Sequence, residues 1–184
     1  MYDENHLIEL VKRLALKTGE FRLASGKMAN FYLDCRKLTL DSLGANVVAE
    51  GILDLLEADM PEAVGGMAIG ADPITASVIT LAHHRGLQLS GFIVRKQAKE
   101  HGTGQRVEGP VQPGQRAVVV EDVVTTGGSC LAAIERARDF GLVVDRAITI
   151  VDRQAGGSER FAEVGVELQS LLTIQQLGID PATV

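Results

Sequence analysis

Residues 117–129 read AVVVEDVVTTGGS, an apolar run followed by two acids and a loop of small polar residues. The run 117–120 is short and β-rich, which predicts a strand buried on both faces. Apolar residues three and four positions apart over 131–140 then predict a helix. Glu121 and Asp122 are therefore expected at the carboxyl end of a strand, with the small-residue loop opening a helix. In an open α/β sheet this is the edge where ligands bind.

Short apolar strands alternate with helices from residue 63 onward. We predict strands over 64–69, 89–94, 117–120, 146–151 and 166–172, and helices over 73–84, 129–140 and 158–164. This alternation indicates βαβ units, and so an α/β fold with a mostly parallel sheet flanked by helices.

The first sixty residues follow a different pattern. Residues 5–17 place apolar residues on one helical face and end at Thr18-Gly19, whereas 21–33 alternate as a pair of strands would. Asp41 or Ser42 then caps a second helix. We expect these sixty residues to form a separate layer or cap over the sheet.

Composition narrows the class of protein. A length of 184 residues suits one domain, and a formal net charge of −6 gives no basic field, so we predict no nucleic-acid partner. Cys35 and Cys130 lack the spacing of a disulfide framework or a metal site, which favours a reducing compartment. The N-terminus MYDENHLIEL does not resemble a signal peptide, and no apolar run reaches membrane-spanning length. We therefore predict a cytoplasmic protein without membrane contact.

The loop at 125–129 has the properties of a phosphate site. Free N–H groups at a helix N-terminus attract anions, and Gly127 and Gly128 let a ligand approach the backbone closely. Glu121 and Asp122 would repel that phosphate, so they should face vicinal sugar hydroxyls, which donate to carboxylates. The alternative is that the acids only cap the following turn. The chain lacks both G-x-x-x-x-G-K-[ST] and G-x-G-x-x-G, which argues against a P-loop NTPase and a dinucleotide binder.

Three further segments follow strands of the same predicted sheet. MAIGADPIT, residues 67–75, predicts a second helix N-terminus with Asp72 as its N-cap. RKQAKEHGTGQR, residues 95–106, is basic and has glycine hinges, which predicts a mobile loop that closes over a polyanion. IVDRQAGG, residues 150–157, presents Arg153, whose fork suits a carboxylate or an imide edge. Each segment also has a simpler explanation. These are, in the same order, a plain helix cap, a solvated charged loop, and an ion pair of Arg153 with Asp152. Together, however, the segments indicate a ribose with a phosphate at one end and a second polyphosphate elsewhere, as in phosphoribosyl pyrophosphate.

The motif VVVEDVVTTGGS resembles the phosphoribosyl-pyrophosphate signature of the type I phosphoribosyltransferases. The set FRLASGKMANFYLD, RKQAKEHGT, EDVVTTGGS and VDRQ is similar, in this order, to the motifs of the orotate-specific members, over roughly residues 19–154. The resemblance implies the type I phosphoribosyltransferase fold as a single domain, 1–184, in which residues 1–40 form a hood. It implies transfer of 5-phosphoribosyl from phosphoribosyl pyrophosphate to orotate, giving orotidine 5′-monophosphate and pyrophosphate in de novo pyrimidine (UMP) biosynthesis.

The resemblance also implies roles for particular residues. Phosphoribosyl pyrophosphate would be bound by Arg95, Lys96, Lys99, His101, Glu121, Asp122, Val123, Val124, Thr125, Thr126, Gly127, Gly128 and Ser129. The catalytic residues among them would be Arg95, Lys99, His101 and Asp122. Orotate would contact Thr125, Arg153, Lys27 and Tyr32. The implied cofactor is Mg²⁺, held mainly by substrate oxygens and water rather than directly by protein ligands. A homodimer with shared active sites is implied, because part of the basic loop serves the neighbouring subunit in this family.

Two positions depart from the family pattern. Ala24 stands where some relatives carry a lysine, and Leu33 stands where an aromatic residue is frequent. Two other functions remain open from the sequence: a phosphoribosyltransferase for another base, such as a purine, and a regulator that senses phosphoribosyl pyrophosphate and binds RNA or DNA. Arg153 and the hood favour an acidic pyrimidine over a purine, and the negative net charge disfavours the regulator.

Overall fold

The computed structural model describes residues 2–22, 28–97 and 105–183. Its helices are α1 (Glu4–Leu10), α2 (Arg36–Thr39), α3 (Ser42–Leu56), α4 (Ala71–His84), α5 (Gly128–Phe140) and α6 (Gly157–Glu163). Its strands are β1 (Leu16–Arg22), β2 (Met28–Leu33), β3 (Ala63–Met67), β4 (Ser90–Val94), β5 (Val107–Glu108), β6 (Arg116–Val124), β7 (Val143–Asp152) and β8 (Glu167–Thr173). A π-helical turn covers Val11–Ala15, and 3₁₀ turns cover Gln175–Leu177 and Pro181–Thr183.

The main sheet has the strand order β5-β4-β3-β6-β7-β8. Its strands pair in parallel, except that the short β5 lies antiparallel to β4. From β3 the chain proceeds to β4 on one side, whereas from β6 it proceeds to β7 and β8 on the other. The order therefore reverses between β3 and β6, and a crevice for ligands is expected at such a switch point. The predicted α/β fold with a mostly parallel sheet is confirmed.

Two buried clusters cover the two faces of this sheet. One joins Leu10 of α1 and Ile52 of α3 to Ile148 of β7, and the other joins Ile134 of α5 and Phe161 of α6 to residues on the opposite face. The result is a three-layer arrangement in which the sheet is apolar on both sides. Helices α1 and α3 thus belong to the main core and do not form a separate layer, whereas β1 and β2 form a separate two-stranded sheet. Over the described part of the chain, no helix has both the length and the apolar character needed to cross a membrane.

The N-terminal hairpin is a small antiparallel sheet of β1 and β2. Leu16 pairs with Leu33 and Thr18 with Phe31, so the helix predicted over 5–17 ends earlier than expected. The apolar helical face continues through the buried Val11 and Ala15 of the π-helical turn, after which strand pairing takes over. Sequence periodicity could not show this boundary, because the partner strand lies more than ten residues downstream.

β6 is longer than the sequence predicts. It continues beyond Val120 because β7 pairs with it as far as Val124, whereas its pairing with β3 stops at Val119. The two acids therefore lie within β6, along the part that has lost its β3 neighbour, and not beyond the end of the strand.

The start of α4 also differs from the prediction. Gly70 occupies the N-cap position, and no side chain caps the helix. Asp72 lies in the first turn, where one of its carboxylate oxygens is buried without a hydrogen-bond partner among the described residues. The predicted capping role of Asp72 is therefore wrong, because the helix begins one residue before it. The Asp41 cap of α3 is confirmed, since this carboxylate accepts hydrogen bonds from the N–H groups of Leu43 and Gly44.

Candidate active site

A cavity of about 540 Å³ lies at the switch point between β3 and β6. The hairpin and its continuation form one wall, the segment after β3 forms a second, and the acids of β6 form the floor. Its lining comprises Tyr32, Leu33, Asp34, Arg36, Met67, Ala68, Ile69, Gly70, Lys96, Glu121, Asp122, Val123, Thr125, Ser129 and Arg153. The peptide bond between Ala68 and Ile69 is cis. Eight of the predicted site residues thus border one cavity: Tyr32, Lys96, Glu121, Asp122, Val123, Thr125, Ser129 and Arg153.

A smaller hollow of about 180 Å³ adjoins the cavity and is formed mainly by the loop between β6 and α5. Glu121 and residues 123–130 line it, which include the predicted phosphate-binding positions 125–129. Gly127 occupies the N-cap position of α5 with a φ of 76°, a conformation that favours glycine. The first N–H groups of a helix have no partner within it, so this hollow has the geometry of an anion site.

Glu121 is a buried acid, with only 7% of its surface exposed. Burial, and secondarily the negative charge of Asp122, raises the pKa of Glu121 to about 8. The Asp122 N–H donates to Glu121 Oε1 at 3.3 Å, and the Val123 N–H donates to Asp122 Oδ1 at 2.9 Å. Glu121 Oε2 is buried and has no partner among the described residues. Glu121 Oε2 is therefore an unused polar atom, which accepts a hydrogen bond from a ligand hydroxyl when the carboxyl is ionised and donates one if it carries the proton.

Gly70 brings the segment after β3 close to the two acids. A Cβ atom at this glycine would lie 3.2 Å from both Asp122 Oδ1 and Glu121 Oε1. Such a contact is tighter than ordinary van der Waals packing, so a side chain here would narrow the cavity above the acids. The sequence motif 67–75 predicted a neighbouring loop, and the structure places its glycine directly against the carboxylates.

Arg153 contributes a guanidinium without an acidic partner among the described residues. Its Cζ lies 4.8 Å from the centre of the Phe31 ring, and its NH1 donates to Thr125 Oγ1 at 3.4 Å. Nε is buried without a partner, and burial lowers the pKa of this group from its ordinary value, although arginine remains charged. The predicted alternative, an ion pair with Asp152, is not formed: Asp152 Oδ1 accepts from the N–H of Gln154 at 2.8 Å. Arg153 is therefore available to bind an anionic ligand.

Arg95 and Lys96 both line a hollow that also includes Asp72 and Glu108. Lys96 borders the main cavity as well, whereas Arg95 does not. Arg95 NH1 donates to Glu108 Oε1 at 3.0 Å, and the Arg95 N–H donates to the Arg106 carbonyl at 2.8 Å. The root of the basic loop is thus fixed on both sides. The predicted site residues Lys27, Lys99 and His101 lie outside the described residues.

Asp34 and Arg36 border the cavity and were not among the predicted site residues. Arg36 Nε donates to Asp34 Oδ1 at 2.8 Å and Arg36 NH2 to Asp34 Oδ2 at 3.2 Å, which lowers the pKa of the Asp34 carboxyl. An available signal was the period of two in β2, which places Tyr32 and the residue just beyond the strand, Asp34, on the same side if the alternation continues by one residue. With this pair, the described lining carries three cations (Arg36, Lys96 and Arg153) and three acids (Asp34, Glu121 and Asp122).

No group of three or more His, Cys, Asp or Glu side chains among the described residues could hold a metal ion. The cavity fits a metal that enters bound to a polyanionic ligand, because Glu121 and Asp122 lie side by side near its base while Lys96 lies at its border. Mg²⁺ commonly keeps several waters and binds substrate phosphates in this way.

Comparison with known proteins gives close relatives, although no protein-family model matches the chain. An orotate phosphoribosyltransferase of Rhodopirellula baltica is 55% identical over 181 residues, which cover 95% of this chain and 94% of that protein. The crystal structure of Mycobacterium tuberculosis H37Rv orotate phosphoribosyltransferase in complex with Fe(III) dicitrate is 37% identical, with a TM-score of 0.86, and the match covers 96% of this chain and 99% of that chain. The same enzyme in complex with 5-phospho-α-D-ribosyl 1-diphosphate is 32% identical, with a TM-score of 0.82 and the same coverage. The similarity therefore extends over nearly the full length of both partners in each comparison.

Proposed function

Since the chain belongs to the orotate phosphoribosyltransferase family, we propose that the cavity between β3 and β6 is where it performs the reaction of that family. The reaction transfers 5-phosphoribosyl from phosphoribosyl pyrophosphate to orotate, and it yields orotidine 5′-monophosphate and pyrophosphate. One observation supports the assignment to this cavity most strongly. The guanidinium of Arg153, which has no acidic partner among the described residues, donates a hydrogen bond to Thr125, and Thr125 belongs to the loop that forms the smaller hollow.

We assign the two ends of the sugar phosphate from the chemistry of the lining. The 5′-phosphate would bind the N–H groups and hydroxyls of residues 125–129, with Val123 and Val124 contributing backbone only, since the Val124 side chain is buried in the core. The ribose hydroxyls would donate to Glu121 and Asp122, whose free acceptor is Glu121 Oε2. C1′ of the ribose would then lie toward Arg153 and Tyr32, which border the same cavity.

Orotate would lie against Arg153, which can bind its carboxylate or its imide edge with two parallel hydrogen bonds. Thr125 and Tyr32 border the same cavity, and the ring of Phe31 packs against the Arg153 guanidinium. Lys27, from the hood, is proposed as a further contact on the basis of the resemblance alone. An anionic pyrimidine suits this end of the cavity better than a purine, because the guanidinium would otherwise remain without an anion.

Departure of pyrophosphate is the step that needs charge stabilisation. As the C1′–O bond breaks, negative charge grows on the leaving oxygen while the ribosyl carbon becomes cationic. Lys96 and the Arg95, Lys99 and His101 side chains of the basic loop would bind the pyrophosphate, and closure of this loop would exclude water from the reactive ribosyl group. Asp122 would hold the ribose in place and stabilise its positive charge. Mg²⁺ bound to the substrate oxygens would offset part of the pyrophosphate charge.

A homodimer with shared sites is part of the proposal. Arg95 is absent from the lining of the main cavity of its own chain, which suits a residue that serves the neighbouring subunit. We also propose that the protein works in the cytoplasm, since the thiols of Cys35 and Cys130 are both free and buried.

The test follows orotate consumption by its ultraviolet absorbance in the presence of phosphoribosyl pyrophosphate and Mg²⁺. We expect turnover by the wild type, nearly complete loss in Lys99→Ala, and unchanged turnover in Lys12→Ala, which removes an exposed lysine from the π-helical turn. Chelation of Mg²⁺ should stop the reaction, and adding Mg²⁺ back should restore it. Turnover of adenine or hypoxanthine in place of orotate would contradict the proposed substrate. Salt-sensitive retention of RNA or DNA without any turnover would favour the regulator instead.

A further inference from the structure

Helix α6 packs directly behind the loop that we propose for the 5′-phosphate. A Cβ atom at Gly157 would lie 2.9 Å from Val124 Cγ1 and 3.2 Å from the Thr125 carbonyl oxygen. The Phe161 ring is fully buried, and a Cβ atom at Gly127 would lie 2.5 Å from its Cε2. The first and middle parts of this helix therefore touch the loop at two points on the side away from the hollow.

Arg160 makes the only polar contact between this helix and the loop among the described residues. Its NH1 donates to the carbonyl oxygen of Thr126 at 2.5 Å, and its side chain is exposed. Arg160 is absent from the lining of both the main cavity and the smaller hollow. It therefore acts on the loop from outside and does not reach the ligand space itself.

The contact fixes the direction of one peptide group. A trans peptide is planar, and its C=O and N–H point in opposite directions. Because the Thr126 carbonyl points outward to Arg160, the N–H of Gly127 points inward, toward the hollow that residues 123–130 form. No described residue accepts a hydrogen bond from this N–H, whereas the Gly127 carbonyl accepts one from Leu131 at 2.8 Å. The inward N–H is thus free for an anion.

We propose that Arg160 is a positioning residue for the 5′-phosphate: it holds the Thr126–Gly127 peptide so that the Gly127 N–H faces the ligand. This inference rests on the proposed function of the 125–129 loop. Without the guanidinium, the peptide could rotate and turn its carbonyl oxygen toward the phosphate, which would replace an attractive dipole with a repulsive one. The residue affects only ligands that carry a 5′-phosphate, and this selectivity makes the inference testable.

The experiment compares the wild type with Arg160→Ala, Arg160→Lys and Arg85→Ala in both directions of the reaction. Arg85→Ala is the matched control. Arg85 is also an arginine near the end of a helix, its side chain donates one hydrogen bond, to Asp54, and its removal changes the net charge by the same amount. In Arg160→Ala we expect KM to rise about tenfold for phosphoribosyl pyrophosphate and for orotidine 5′-monophosphate, the effect of losing one charge-assisted hydrogen bond. KM for orotate and for pyrophosphate should change less than twofold, and kcat should change little.

Arg160→Lys should reverse part of the rise in KM, because an ammonium group can also donate to the Thr126 carbonyl. Arg85→Ala should have the KM values of the wild type. Equal increases in all four KM values, or a fall in kcat and thermal stability without the KM selectivity, would show a merely structural role and overturn the proposal. Unchanged KM values in an active Arg160→Ala enzyme would also overturn it. If the wild type itself failed to turn over orotate, the proposed function would fail instead, so the two failures are distinguishable.

Discussion

The guanidinium carbon of Arg153 lies 4.8 Å from the centre of the Phe31 ring. Arg153 follows the last residue of β7 in the main sheet, whereas Phe31 belongs to β2 of the hairpin, so this contact joins two separate sheets. A cation over an aromatic face is stabilised by about 0.5–2 kcal/mol, depending on how far it is desolvated. The hairpin thus holds the arginine that we assign to orotate.

Replacing Arg153 with lysine should weaken orotate binding selectively. Lysine keeps the charge but lacks the planar fork, so it cannot make two parallel hydrogen bonds to a carboxylate or imide. Steady-state kinetics of Arg153→Lys should show KM for orotate at least about tenfold higher, the effect of one lost charge-assisted hydrogen bond, and KM for phosphoribosyl pyrophosphate nearly unchanged. Arg13→Lys, at an exposed position of the π-helical turn, is the control. An equal rise in both KM values for Arg153→Lys would argue against the assignment.

Phe31→Leu should affect both stability and orotate binding. The Phe31 ring is 3% exposed, so the smaller leucine should leave part of its buried space unfilled and lower the unfolding free energy by about 1–2 kcal/mol. Loss of the cation–π contact should also raise KM for orotate by a few fold. In a double-mutant cycle with Arg153→Lys, the two effects on KM should be less than additive, because both changes act on one contact. Strict additivity would mean that the ring does not position the arginine.

Glu121→Gln should change how stability depends on pH. The pKa of Glu121 is raised in the fold, to about 8, so the folded state favours the protonated carboxyl. In the unfolded chain the pKa of this carboxyl is near 4.5, and below that pH its contribution to the unfolding free energy is at its most favourable. The contribution declines as the pH rises from 4.5 to 8, and above pH 8 it is a constant penalty. Thermal or urea unfolding should give similar stability for wild type and variant at pH 5. At pH 9 the variant should be more stable by more than about 1 kcal/mol, since one pKa unit corresponds to about 1.4 kcal/mol. A difference that did not vary with pH would count against this account of the buried acid.

Gly127→Ala should destabilise the protein and weaken binding of phosphoribosyl pyrophosphate. The residue has a φ of 76°, and an added Cβ would lie 2.5 Å from the buried Phe161 ring. Gly156→Ala is a matched control, because Gly156 has a φ of 80° and nothing within 4 Å of the added Cβ. We expect the control to lose about 1 kcal/mol from backbone strain, and Gly127→Ala to lose about 1–3 kcal/mol more from overpacking. Isothermal unfolding and titration with phosphoribosyl pyrophosphate measure the two effects; equal losses in the two variants would exclude the ring contact.

The acid and glycine motif of residues 121–129 predicted residues that the structure places along the main cavity and the smaller hollow. The alternation of strands and helices after residue 63 also predicted the parallel sheet, because each element has its own hydrophobic period. The longer β6 could not be predicted, since Glu121 remains in the strand only through its pairing with Thr149 of β7, a long-range interaction.

The less predictable parts of the site depend on tertiary contacts. Arg36 joins the cavity through an ion pair with Asp34, and Gly70, the N-cap of α4, lies close to the acids of β6. Likewise, Arg160 gives no signal in the sequence, and it gains a role only because α6 lies behind the phosphate loop. Local patterns specify the elements, while the contacts between them decide which polar side chains meet.

The most direct test of the site assignment is the electron density of orotidine 5′-monophosphate in a crystal of this protein. We predict the phosphate on the N–H groups of residues 125–129, the ribose hydroxyls on Glu121 and Asp122, and the pyrimidine carboxylate on Arg153. The groove between α3 and α4, lined by Ala49, Pro73 and Leu81 among others, is the alternative location. Nucleotide density in that groove, with the cavity between β3 and β6 empty, would contradict the account.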